Sequence, residues 1–129
     1  MAEFLSDEWV AQLDAAARSG PGLASDPPLV VETLVRAPGG DSGYQVHLSP
    51  GGASVTKAGA ATPDVVLVTD RATAWALHRG DLRAQDAFAR GDLKVRGRPE
   101  LLSGRADVFA ALERAVAPVR AGTTPTADR

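Results

Sequence analysis

The sequence predicts an α+β domain, a five-stranded, mostly antiparallel sheet covered on one face by about five helices. Three observations carry this. Four strand-like segments separated by Gly- and Pro-rich turns occupy residues 29 to 69. Helical periodicity precedes them and takes over after them. A fifth, short alternating segment at residues 93 to 97 sits between two helical runs. Strands grouped ahead of helices, rather than alternating with them, favour helices packed over one sheet face.

Each element has a local reason. Ser6 is an N-cap for a first helix to about Ala17, with Asp7 and Glu8 at its positive end. Trp9, Leu13 and Ala16 fall at i, i+4 and i+7, giving it one apolar face. The stretch SGPGLASDPP, 19–28, is a loop by its glycines and prolines. Leu29 to Arg36 is a β-branched strand, and APGGDSG breaks it into a hairpin loop. Tyr44 to Ser49 alternates, with Tyr44, Val46 and Leu48 on one face and Gln45, His47 and Ser49 on the other. Ala53 to Lys57 and Val65 to Thr69 complete what reads as an antiparallel meander.

Asp70 or Thr69 then caps a helix to about Arg79, with Ala72, Trp75 and Ala76 on one stripe and Gly80 as its stop. A short helix covers Arg83 to Arg90 and closes at Gly91. Leu93 and Val95 point one way in the last strand. Pro99 suits the first turn of a final helical region that Gly104 splits. Its longer part carries Val108, Leu112, Ala115 and Val119, with Phe109 and Val116 on an adjacent row. Backbone geometry accounts for Gly91 and Gly97, where alanine is expected to cost about 1 kcal/mol.

Composition narrows the function classes. The 129 residues fit one domain, residues 1–120, followed by a polar tail, 121–129, expected to fray. A net charge of −2 with scattered arginines lacks the basic footprint of a nucleic-acid binder. The absence of cysteine removes disulfides, thiolate chemistry and sulfur-ligated metals. No segment is apolar enough to act as a signal core or to span a bilayer, so a cytoplasmic protein without an integral membrane segment is expected, transient membrane contact aside.

Chemistry-bearing constellations are absent from the pattern. His47 lies on the polar face of its strand, and His78 sits near a helix C-terminus, where a cation is favourable. Neither has the partners of a metal site. SPGGASV lacks the nucleophile elbow and its strand-to-helix setting. Asp64 and Asp70 flank a strand at opposite ends, about 20 Å apart at roughly 3.3 Å per residue, too far for a carboxylate pair. No catalytic residue, cofactor or metal is expected.

The passage GDLRAQDAFARGDLKVRG, 80–97, resembles the sterol carrier protein type 2 domain family. Gly80, Leu82, Ala87, Phe88, Gly91, Leu93, Val95 and Gly97 carry that family's G-x-L…A-F-x-x-G-x-L-x-hydrophobic-x-G pattern. The preceding TPDVVLVTDRATAWAL is similar to its strand-then-helix passage, and the order of elements agrees from about residue 5 to 117. The chain thus resembles a small stand-alone bacterial member.

The resemblance implies an apolar tunnel between sheet and helices that holds a sterol, fatty acid, acyl-CoA or other hydrophobic molecule without chemistry. On that basis Trp75, Leu82, Phe88, Leu102, Val108, Phe109, Leu112 and Val116 would form its helical wall. Val46, Leu48, Val66 and Val68 would form the sheet wall. Spacing alone leaves the same residues as plain core. Similar domains also form the C-terminal half of mycothiol-dependent maleylpyruvate isomerase-like proteins. An enzyme or accessory subunit using the same pocket is therefore the alternative, with Tyr44, Arg96 and Arg98 as its candidate polar groups. A solid packing or dimerisation module is a third reading. The pattern specifies neither the ligand nor an oligomeric state.

Overall fold

The computed structural model describes residues 2–20 and 27–124. Most of the loop at 19–28, and residues 125–129 of the polar tail, lie outside them. Helix α1 (Asp7–Ser19) begins where Ser6 Oγ accepts a hydrogen bond from Trp9 N at 3.1 Å. Its buried face is Trp9, Val10, Leu13 and Ala17. The strands are β1 (Leu29–Arg36), β2 (Ser42–Ser49), β3 (Gly52–Lys57), β4 (Val65–Asp70) and β5 (Leu93–Gly97).

They form one five-stranded sheet in the order β3-β2-β1-β4-β5. Three pairings are antiparallel, and β1 with β4 is parallel. The first four strands are therefore not a simple meander. After β3 the chain crosses to the far side of β1, which puts β1 and β4 inside the sheet. The Val-Val-Leu-Val run of β4 suits that interior place, because apolar residues on both faces find cover there. Edge strand β3 is protected from outside, as Val55 N donates to Asp14 Oδ1 of α1 at 2.8 Å. Burial raises the Asp14 carboxyl, but the Val55 N–H and Arg18 outweigh it and hold it below its ordinary value.

Register decides which side chains face the helices. Thr33 pairs with Tyr44 and Leu67, and Leu67 with Val95, so these four share a row. Val31, Val46, Val55 and Val65 make the next. Val66 and Val68, paired with Arg96 and Lys94, fall on the opposite face. That far face is no open plane. Gln45 is fully buried there, its Nε2 donating to Glu32 Oε1 and Ala61 O, both at 2.8 Å, while Ala61 N donates to Gln45 Oε1 at 3.1 Å. The loop after β3 is thereby stitched under the sheet.

Helix α2 (Arg71–Arg79) is capped by Asp70, whose Oδ1 accepts from Thr73 N at 2.7 Å, and stops at left-handed Gly80. Its buried residues are Thr73 and Ala74, so the inward stripe is rotated from the expected Ala72, Trp75 and Ala76. Helix α3 (Ala84–Ala89) leads into β5. At the end of β5, Gly97 has φ +88°, and a Cβ there would stand 2.5 Å from Asp64 O. Close backbone approach, added to the left-handed conformation, makes this glycine stricter than Gly91, which has open space around it.

A single 3-10 turn (Pro99–Leu102) stands in place of a fifth α-helix, and α4 (Ala106–Gly122) follows Gly104. Beyond α4, Thr124 is tied to the N-terminal strap. Thr124 N donates to Ala2 O at 2.9 Å, and Phe4 N donates to Thr124 O at 2.8 Å. The core lies between α1, α4 and the inward sheet face, around Trp9, Leu13, Leu29, Val31, Val35, Leu48 and Val65.

Candidate functional site

Sheet and helices do not close completely on one another. A cavity of about 580 Å³ remains between them, within the range of small-molecule sites. Its floor is Thr33, Tyr44, Val46, Val55, Leu67, Thr69 and Leu93, all inward-facing by register. Leu13 of α1, Ala74 and Leu77 of α2, and Leu112 and Val116 of α4 roof it. One end is bounded by Phe4, Trp9, His78, Glu113 and Arg120. Gly80, Leu82, Arg83, Ala84 and Gln85 form another rim, and Arg83 to Gln85 are exposed, so the space meets the surface there.

Of the residues expected on the wall, Val46, Leu82, Leu112 and Val116 line this space. Leu48 is fully buried in the core away from it. Trp75, Leu102, Val108 and Phe109 pack, partly buried, against that core. Phe88 points outward and is 58% exposed. Val66 and Val68 are on the far face of the sheet, and Leu67 and Thr69 take their place on the floor. Arg96 and Arg98 are exposed and outside the lining. A continuous apolar strand carries no alternation, so its parity was not readable. In α2 the inward residues Ala74, Leu77 and His78 are at i, i+3 and i+4, a helical face broken by a histidine.

His78 is not a solvated helix-end cation. Its ring stacks on Phe4 (centroids 5.2 Å, 26° between planes) and meets Trp9 edge-on at 5.2 Å. Its Nε2 lies 3.0 Å from Thr123 Oγ1, and Thr123 donates its own hydroxyl proton to Val119 O at 2.6 Å. With that proton committed, Thr123 is the acceptor and His78 Nε2 the donor. Burial, aided by the positive charge of Arg120, pushes the His78 pKa down to about 4. Tyr44 lies edge-on to Trp9 at 5.1 Å. Burial pushes its phenol up, opposed by a hydrogen bond with Thr33. At neutral pH the cavity therefore presents an uncharged imidazole and a protonated phenol beside the Glu113–Arg120 ion pair.

The sign of the histidine effect is fixed. Unfolded chain protonates His78 near 6.5, whereas the folded protein resists to about 4. Between these values the unfolded state binds more protons, so the stabilisation is complete above 6.5 and is lost as pH falls toward 4. His78→Gln is expected to flatten the fall in Tm over that interval relative to wild type. Parallel Tm profiles for the two proteins would contradict the placement of a neutral His78.

Among the described residues no three His, Cys, Asp or Glu side chains are grouped to hold a metal ion. No helix among them is long and apolar enough to cross a membrane. Together, fold and site define an α+β domain that keeps a largely apolar cavity between its sheet and a helical roof. The chain belongs to the SCP-2 sterol transfer family, whose family model matches residues 30–109. That family binds or transfers hydrophobic molecules.

Solved structures repeat the architecture. A crystal structure of sterol carrier protein 2 superposes with TM-score 0.70 at 20% identity, covering 92% of this chain and 98% of that one. The solution structure of palmitated SCP2L2 from Aedes aegypti gives 0.61 at 19%, over 80% and 92%. A hypothetical protein of Thermus thermophilus, described as possibly a sterol carrier protein, gives 0.60 at 20%, over 100% and 94%. At these identities the likeness establishes the fold. No curated protein sequence gives a match.

Proposed function

We propose that this chain is a non-catalytic cytoplasmic carrier of a hydrophobic small molecule such as a sterol, fatty acid or acyl-CoA, held between the sheet and the helices. The observation that carries the reading is the cavity itself, a space of about 580 Å³ walled by Leu13, Val46, Val55, Leu67, Leu93, Leu112 and Val116. Water gains little in such a space, and apolar surface moved into it is stabilised by about 25 cal/mol per Å². Family membership, and the palmitate on the Aedes aegypti relative, agree with this reading. Delipidated protein is expected to bind a fluorescent fatty-acid analogue saturably, one per chain. Absence of saturable binding would refute the carrier.

A second reading, an enzyme or accessory subunit working on a hydrophobic metabolite in the same space, is favoured by one feature. Tyr44 and His78, both with shifted pKa values, stand at the same end of the cavity. Shifted titratable groups in a cleft are a catalytic signature, although structural packing produces them too. The carrier reading accounts for both as partly buried members of the aromatic cluster around Trp9.

A further inference from the structure

The cavity is greasy along its floor and roof but not at the end bounded by α4 and the N-terminal strap. There Arg120 lines the space with its side chain only 24% exposed. Its Nη2 donates to Glu113 Oε2, while its buried Nε has no hydrogen-bond partner. Trp9, which also lines this end, carries a second buried donor without an acceptor at indole Nε1. Buried donors left unsatisfied are costly and rare, and they call for an acceptor. The acceptor that Arg120 does have is poorly fixed, because the Glu113 side chain is 61% exposed and has water as an alternative.

We infer that this end of the cavity is a carboxylate-binding subsite, in which the ligand's head group displaces Glu113 from Arg120. The inference rests on the carrier reading and narrows its ligand to an amphiphile with an apolar chain and a carboxylate head. In the ligand-free protein Glu113 is the stand-in for that head. When the ligand arrives, Glu113 swings into water, and Arg120 turns to present Nε with a second nitrogen to the two carboxylate oxygens. This is the planar, two-point match that a guanidinium makes best. Both unsatisfied nitrogens lie sealed behind the cavity surface, so this turn is needed for Nε to take part.

The neighbours agree in sign. His78 feels the positive charge of Arg120, and Tyr44 stays protonated and able to donate. The chain of the ligand then runs over Val46, Leu67 and Leu93 toward the rim at Leu82. An uncharged head of the same chain length forgoes the ionic hydrogen bonds and leaves Glu113 in place.

Isothermal titration of delipidated protein with dodecanoate, dodecanol and methyl dodecanoate tests this. Wild type is expected to bind dodecanoate about 10-fold or more tightly than either uncharged analogue. Arg120→Gln, which removes the charge but leaves a polar side chain, is expected to erase that preference while still binding the analogues. Glu113→Gln, at an exposed position, is expected to strengthen dodecanoate binding several-fold and leave dodecanol unchanged, which keeps the test decisive if Arg120→Gln fails to fold. Equal binding of all three probes by wild type would overturn the subsite and leave the carrier standing. No binding of any probe would overturn both.

Discussion

Ala74→Trp is expected to abolish uptake of hydrophobic ligand, weakening it at least about 10-fold, with the fold retained. Ala74 is buried on the inward face of α2 and lines the cavity, opposite a floor of sheet residues. An indole built there fills space that is empty rather than space that is packed. Its cost therefore falls at or below the 1–3 kcal/mol usual for inserting bulk into a tight core. Binding measured against a fluorescent fatty-acid analogue, with far-UV circular dichroism as the control for folding, reads the effect. Phe109, expected on the cavity wall, packs on the core outside the lining. Aspartate at 109 would test stability more than binding.

Trp9→Ala has the largest expected effect on stability, about 3–5 kcal/mol. Trp9 is fully buried and meets Phe4, Tyr44 and His78 edge-on at 5.0, 5.1 and 5.2 Å. It thus joins α1, the strap, β2 and α2 in one cluster. Aromatic pairs of this geometry add to the area term. Truncation leaves a void next to an existing cavity, and the surroundings have little to collapse upon. A fall in Tm of more than about 10 °C is expected. A change of only a degree or two would mean that the cluster closes over the gap.

The architecture was legible because its signals are local. Ser6 caps α1 as the sequence suggested, Asp70 rather than Thr69 caps α2, and Gly80 stops α2 in the left-handed region. Gly104, also left-handed, separates the final helix from the turn before it. The parallel pairing of β1 with β4 was not legible, since it joins residues more than thirty positions apart with no turn to announce it. The cavity was less legible still. Which of Val66, Leu67, Val68 and Thr69 face inward depends on register, and an unbroken apolar run does not encode it.

The polar end was missed for a related reason. His78 sits at a helix end that suits a cation, nothing in the sequence singles out Arg120, and only packing brings the two to the same wall. The clue available beforehand was His78 at i+4 from Ala74 on one helical face. Phe88 shows the converse, a family-like aromatic on a short helix that ends up outside. An apolar residue in a motif marks the fold, and it does not say which surface of the helix meets the ligand.

Native mass spectrometry of the delipidated protein after incubation with a mixture of fatty acids and sterols asks most directly whether the space between sheet and roof holds a guest. The account predicts a one-to-one adduct on wild type and bare mass alone for Ala74→Trp. Bare wild-type protein across the whole mixture, or an adduct that persists unchanged in Ala74→Trp, would contradict it.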